Sequence, residues 1–224
     1  KAPVRLVLLP APRQRVTSEA REITHSLRYF YTASRGIPSF PEFVTVGMVD
    51  EQPISYYDSN QKREVPKQEW MKQNEEPDYW ERQTQISIAA EQRFKANTSS
   101  YVHTCFVSLP GPHIVQNLYG CEWDETGDVH GFNQFGYNGE DYIVFNLETE
   151  TWIAPRSEAV ITKMKWDRDE TRIQVDKNYL THTCVDWLRK STGVAVVWSK
   201  RSSGNRLRSR DIRDCLLTFE MLII

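Results

Sequence analysis

The sequence predicts an α+β fold in which one antiparallel sheet carries two helices. Two observations lead to this prediction. Segments with alternating apolar residues, rich in aromatic and β-branched types, are followed by a segment with helical spacing, and this order occurs twice over about 85 residues each. Hydrophobic residues make up 39% of the 224 positions, which is enough for a sizeable core. Two such halves side by side would leave a groove between their helices.

The first half begins with strands, because residues 26–33 alternate between apolar and other side chains. Further strands are predicted over 43–49 and 54–57. Helical character runs from Pro66 to Asn97, with a helix start near residues 74–77. We expect this helix to end near Asn97, because the residues that follow are β-branched.

The second half repeats the pattern. Strands are predicted over 114–124, 131–137, 141–146 and 151–153. Asn138-Gly139 between two of these strands is a strong hairpin signal. Helical spacing then extends over 157–190, with an expected break around 167–172.

Charge and composition exclude several classes of function. Residues 23–188 hold 15 Lys and Arg against 25 Asp and Glu, so most of the chain would repel a nucleic acid. No apolar run approaches the roughly 20 residues of a transmembrane helix. The four cysteines form no CxxC pair, and His103 and His182 each stand two residues before a cysteine, a spacing that rarely binds a metal. We therefore expect no metal and no cofactor.

Seven blocks of sequence resemble the alpha-1 and alpha-2 platform of MHC class I heavy chains, of the bony-fish type. They are Thr24–Phe30, Phe43–Asp50, Pro77–Trp80, Tyr119–Trp123, Gly136–Tyr142, Thr162–Trp166 and Cys184–Leu188. The order and spacing of the blocks agree with the family over about 24–97 and 113–190, and no P-loop, GxGxxG or GxSxG motif competes. The resemblance implies the α+β platform fold, an eight-stranded antiparallel sheet topped by two long, broken helices. It also implies a protein that is not an enzyme.

The resemblance also implies a division of the chain. Residues 1–22 would be a non-matching tail, 23–112 an alpha-1-like half that diverges over 98–112, and 113–190 an alpha-2-like half. Residues 191–224 would be a second non-matching tail, since they lack the Cys…Trp…Cys pattern of an immunoglobulin-like domain.

The family pattern implies a disulfide between Cys121 and Cys184, with two buried free thiols as the alternative. Cys105 and Cys215 lie outside the matching blocks and are expected to be unpaired. Asn97-Thr98-Ser99 is a glycosylation sequon that matters only in the secretory pathway. Asn97 could equally be a plain helix cap.

Peptide-binding residues follow from the same resemblance. Tyr29, Tyr79 and Tyr179 would bind the peptide amino group, although Ser191 stands where the family has a fourth tyrosine. At the other end, the peptide carboxylate would meet Thr162, Lys165 and Trp166, with Tyr142 on the floor nearby. The alternative is that these aromatic residues are simply core.

The other face of the sheet would rest on beta-2-microglobulin. The positions that match the family's contact residues are Phe30, Met48, Gln116, Gln134 and Asp141. Without a partner, an apolar Phe and Met on a face with no helices would form an exposed patch. The alternative is that the tails cover them.

The function expected from the resemblance is the display of a short peptide to a T-cell or natural-killer-type receptor on the external side of the plasma membrane. No intact signal peptide or membrane anchor is visible in the sequence. One alternative is a platform-only ligand that a receptor recognises directly with an empty groove. The other is a non-functional fragment from an aberrant transcript.

Overall fold

The computed structural model describes residues 24–74, 76–105, 111–124 and 126–202, without the side chains of 24, 74, 77, 97–105 and 194–202. Eight strands in these ranges form one antiparallel sheet in the order β4-β3-β2-β1-β5-β6-β7-β8. The strands are β1 (Thr24–Arg35), β2 (Phe43–Val49), β3 (Gln52–Asp58), β4 (Val65–Pro66), β5 (His113–Asp124), β6 (Val129–Tyr137), β7 (Glu140–Asn146) and β8 (Thr151–Ile153). The predicted fold is confirmed, and the sequence pattern missed only the two-residue β4, which is too short to show alternation.

The two halves join where β1 pairs with β5 along their whole length. The predicted hairpin between β6 and β7 is also confirmed. Asn138 and Gly139 both have positive φ, at 51° and 84°, the backbone conformation that the tight two-residue turn between antiparallel strands needs.

Within the described ranges, five α-helices lie against one face of this sheet. They are α1 (Glu69–Asn74), α2 (Pro77–Cys105), α3 (Val160–Trp166), α4 (Glu170–Asn178) and α5 (Cys184–Ser202). A single π-helical turn, Tyr179–Thr183, joins α4 to α5. The break predicted near 167–172 is confirmed, and the Asp169 side chain caps α4 by accepting a hydrogen bond from the backbone N–H of Arg172 at 3.1 Å.

The expectation that the first long helix ends near Asn97 was wrong, because α2 continues to Cys105. β-branched residues cost a helix at most about 0.7 kcal/mol each, which neighbouring turns can offset. No glycine or proline follows in α2 after its first residue, and the next strong breaker is Pro110-Gly111. In the same way α5 runs past Lys190 to Ser202.

The core has two parts, both between the helices and the sheet. One surrounds Trp152, Phe43 and Tyr57, and the other surrounds Leu27 and Leu188. The second part contains a disulfide between Cys121 of β5 and Cys184, the first residue of α5, and both are fully buried. The predicted pairing is confirmed, and the alternative of two free thiols is wrong. Cys215 lies outside the described residues, as does the side chain of Cys105.

We predict that Cys121→Ser lowers the free energy of unfolding by roughly 2–5 kcal/mol, because the bond closes a loop with a sequence separation of 63 and fixes α5 to the sheet. For a domain of this size the melting temperature should fall by roughly 4–20 °C. Thermal unfolding followed by circular dichroism measures the change.

The matched control is Cys215→Ser, which should have the same melting temperature as the unmodified chain. Equal melting temperatures for the Cys121→Ser variant and the unmodified chain, with and without reductant, would show that the bond contributes nothing.

Candidate functional site

A groove lies between two helical walls on the sheet. On one side Phe94 of α2 packs on the floor against Tyr31 and Phe135, with ring centroids 6.0 and 6.2 Å apart. On the other side Tyr179 of the π turn packs on Tyr119 of β5 at 5.7 Å. The walls meet at one end, where Tyr79 of α2 lies 5.6 Å from the Trp187 ring of α5.

Strand alternation determines which side chains reach the groove. On β1, Leu27, Tyr29, Tyr31 and Ala33 face the helices, and Arg28 and Phe30 point to the opposite face. Because β1 pairs with β5, Tyr29 lies directly opposite Tyr119 in the register. The floor of the groove is therefore aromatic across the junction of the two halves.

Tyrosines gather at the end of the groove where the walls meet. Tyr29 stacks on Tyr119 with centroids 5.3 Å apart, and Tyr119 donates a hydrogen bond from its hydroxyl to that of Tyr31 at 2.8 Å. Burial holds the pKa of Tyr29 well above its usual value, and the neighbouring Tyr179 and Tyr79 raise it further. The structure thus brings the three sequence-predicted tyrosines together.

Two members of this tyrosine cluster are not among the predicted site residues. The alternation over 26–33 places Tyr31 on the same strand face as Tyr29, but the resemblance does not assign Tyr31 to the site. Tyr119 could be found only by knowing the β1–β5 register. Because the hydroxyls stay neutral, each can donate one hydrogen bond and accept others, which suits an amino group and its neighbouring amides. Ser191 is buried on α5 at 4% exposure and supplies no ring there.

The structure brings only some of the residues predicted for the carboxylate end into contact. The Tyr142 and Thr162 hydroxyls are hydrogen bonded at 2.9 Å, and both side chains are buried. Trp166 packs edge-on against Trp152 at 4.7 Å, so it contributes to the core as well as to the groove. Lys165 is exposed on α3.

The middle of the groove carries charge from both walls. The Arg172 guanidinium lies 3.9 Å from the centre of the Trp166 ring, and its Nε is 3.6 Å from Oδ2 of Asp176. Burial raises the pKa of the Asp176 carboxyl. The positive charges of Arg172 and of Arg93 on α2 oppose this rise.

An open cleft of about 640 Å³ runs along the wall formed by α4 and the π-helical turn. It is lined by Glu170, Thr171, Gln174, Val175, Asn178, Tyr179 and Thr183.

The five residues predicted to contact a partner all lie on the face without helices. The register pairs Arg28 with Met48, Phe30 with Leu118, and Leu118 with Gln134. Gln116 pairs with Gly136, and Gly136 with Asp141. Phe30 is 37% exposed. A shallow depression of about 230 Å³ is lined by Phe30, Gln116, Gln134 and Asp141, among other residues, but not by Met48.

The remaining sequence-based expectations concern the glycosylation sequon, membrane-spanning helices and metal sites. Asn97 lies within the helical backbone of α2, and its side chain is outside the described set. Among the described residues, no helix combines the length and apolar character needed to cross a membrane. Across the same ranges, no three His, Cys, Asp or Glu side chains are grouped so that they could hold a metal ion.

Known proteins are similar to this chain in sequence. The family model described as "Class I Histocompatibility antigen, domains alpha 1 and 2" matches residues 23–193. Major histocompatibility complex class I-related protein 1 of Mus musculus is 40% identical over 190 residues, which cover 83% of this chain and 54% of that protein. The H-2 class I histocompatibility antigen, K-K alpha chain, of Mus musculus is 41% identical over 195 residues, or 84% of this chain and 52% of the relative.

A third relative comes from a bird. The class I histocompatibility antigen, F10 alpha chain, of Gallus gallus is 39% identical over 185 residues, covering 82% of this chain and 52% of the relative. The chain thus spans about half the length of these relatives. With a family model matched over most of the sequence and relatives of this identity, the chain belongs to the MHC class I family, whose alpha-1 and alpha-2 domains it carries over residues 23–193.

Proposed function

We propose that this chain binds short peptides non-covalently in the groove and displays them to T-cell or natural-killer-type receptors at the cell surface. The observation that carries the proposal is the tyrosine cluster at the closed end of the groove. Tyr29, Tyr79 and Tyr179 come together there from the floor and from both walls, and burial keeps the Tyr29 and Tyr179 hydroxyls neutral. A peptide amino group that enters this end meets several acceptors at once.

The partner on the other face of the sheet is proposed to be beta-2-microglobulin. Phe30 is an exposed aromatic that lines a shallow depression together with the polar side chains of Gln116, Gln134 and Asp141. An apolar centre with a polar rim is the usual composition of a protein interface. The names of the relatives, all class I or class I-related histocompatibility proteins, support an MHC class I-like role for the chain as a whole.

A second candidate is a platform that a receptor recognises directly while the groove stays empty. One observation favours it: Phe94 reaches from α2 to the floor and contacts Phe135, which fills part of the space between the walls. The two candidates differ in whether a ligand stabilises the chain. The third possibility, a non-functional fragment, would not refold with beta-2-microglobulin and peptide.

We predict that the chain refolded with beta-2-microglobulin melts later when a random nonamer peptide library is present. A ligand that binds only the folded state stabilises it by about 2.7 kcal/mol at a hundredfold excess over Kd, so a rise of roughly 5–10 °C is expected. Differential scanning fluorimetry gives the value. Identical melting with the library and with an amino-acid mixture of the same composition would favour the empty-groove candidate.

We predict that acetylating the peptide amino group weakens binding more than amidating its carboxylate. The tyrosine cluster is buried, and hydrogen bonds to a charged group there contribute about 1.5–3 kcal/mol each, so a loss of at least tenfold is expected. At the other end Thr162 is already bonded to Tyr142, and the exposed Lys165 contributes only about 0–1 kcal/mol. Competition fluorescence polarisation compares the affinities of one peptide in three forms: unmodified, acetylated at the amino group and amidated at the carboxylate.

The control for that comparison is Lys165→Ala, in which the small effect of amidation should disappear. Bound peptides are also expected to vary in length, since one end is weakly held. An equal loss of affinity on blocking either terminus, with a bound pool of uniform length, would contradict the asymmetry.

We predict that Phe30→Ser weakens the affinity for beta-2-microglobulin by about 1–2 kcal/mol, or five- to thirtyfold, because a partly exposed aromatic no longer becomes buried. Ile161→Ser on α3 is the matched control, since Ile161 is 61% exposed but lies among the helices. Surface plasmon resonance measures both. A Phe30→Ser variant that binds like the control would place the interface elsewhere.

A further inference from the structure

A row of aromatic side chains crosses the groove from one wall to the other. Phe94 of α2 stacks on Phe135 of β6, with ring centroids 6.2 Å apart and the ring planes inclined by 27°. Phe135 in turn meets the Trp166 ring of α3 edge to face at 5.1 Å. We call these three residues the aromatic bridge. It joins α2 to α3 through the floor, and Phe135 is in ring contact with both walls.

Both ends of the aromatic bridge are packed on other rings. Phe94 is buried, and its ring centroid lies 5.2 Å from that of Phe43 on β2. Trp166 is buried against Trp152 of β8. Arg172 of α4, whose guanidinium stays charged at any physiological pH, covers the Trp166 ring. The bridge therefore holds α4 as well as α3, and the two helices form one wall, the α3–α4 wall.

The position of Phe94 along α2 determines what the aromatic bridge can do. The walls also meet at the closed end of the groove, where Tyr79 contacts Trp187. About four turns of α2, or roughly 22 Å along its axis, separate Tyr79 from Phe94. A helix that is held at one point can pivot about that point. A helix that is held at two points this far apart keeps its direction relative to the opposite wall.

Charges beside the aromatic bridge act in the same sense. The Asp176 carboxylate of α4 is attracted to Arg172 on its own helix and to Arg93, the residue before Phe94 on α2. Both cations oppose the rise in the pKa of Asp176 that burial causes. The attraction between Arg93 and Asp176 draws the two walls together at the point where the rings already join them.

These contacts belong to the chain itself and need no ligand. A groove whose walls were separated only by its ligand would lose its shape when the ligand left. The aromatic bridge supplies contacts to both walls from the floor, so the separation of the walls is fixed before a ligand arrives. A site that is preorganised in this way loses less conformational entropy when it binds.

We propose that Phe135 is a positioning residue that holds α2 and the α3–α4 wall at a fixed separation in the absence of any ligand, so that the empty groove stays folded and open to a ligand. This inference rests on the groove of the proposed function as the binding site and adds how that site is maintained before a peptide enters. If Phe135 were only a core residue, its ring would stabilise the whole chain evenly.

The test is hydrogen exchange, followed by mass spectrometry, of the full chain refolded with beta-2-microglobulin and without peptide. In Phe135→Ala, we expect exchange at least about tenfold faster than in the unmodified chain over 88–94 of α2 and over 160–174 of the other wall. Amides in β1 and β5 should change by less than about threefold, because their pairing does not involve Phe135.

Phe145→Ala is the matched control. Phe145 of β7 is a buried ring of the same core, and it packs on Trp152 of β8 with centroids 5.0 Å apart. Its removal also leaves a cavity, but the ring that it contacts belongs to the sheet and not to α2. Exchange over 88–94 should therefore match that of the unmodified chain.

A rise in exchange that is even over walls and sheet in Phe135→Ala, or that is confined to one wall, would overturn the inference. An unmodified chain that refolds only when peptide is present, or whose walls exchange without protection when empty, would also overturn it, and neither result depends on a variant. Because no peptide takes part in this measurement, a failure of the chain to bind the peptide library would contradict the proposed function separately.

Discussion

The antiparallel pairing of β1 with β5 is the constraint on which the rest of the structure depends. Each half of the chain builds four strands, and this pairing, from Thr24–Asp124 to Arg35–His113, makes them a single sheet. A slip of one residue would turn every side chain of one half to the opposite face. The register places Tyr29 opposite Tyr119 and Leu27 opposite Cys121. The first pair forms the groove floor, and the second aligns the disulfide that fixes α5 to the sheet.

Most of the fold could be predicted from the sequence because its signals are local. Alternation marks seven of the eight strands, and Asn138-Gly139 marks the turn between two of them. The end of α2 could not be predicted in the same way. Thr and Val after Asn97 are typical of strands, but their weak preference yields to a helix that is already formed and not interrupted by proline or glycine.

The candidate site was less accessible to sequence reasoning. The resemblance to a family supplied Tyr29, Tyr79 and Tyr179, and the structure brings them together. It did not supply Tyr119, whose role depends on the register between distant strands.

The central claim is that the groove holds a peptide in the cell. The most direct measurement is to express the chain with beta-2-microglobulin in mammalian cells, purify the complex, release its ligands with acid and sequence them by mass spectrometry. The account predicts a pool of short peptides from many cellular proteins. An eluate with no peptides above that of a mock purification, from a complex that is folded and stable, would contradict it.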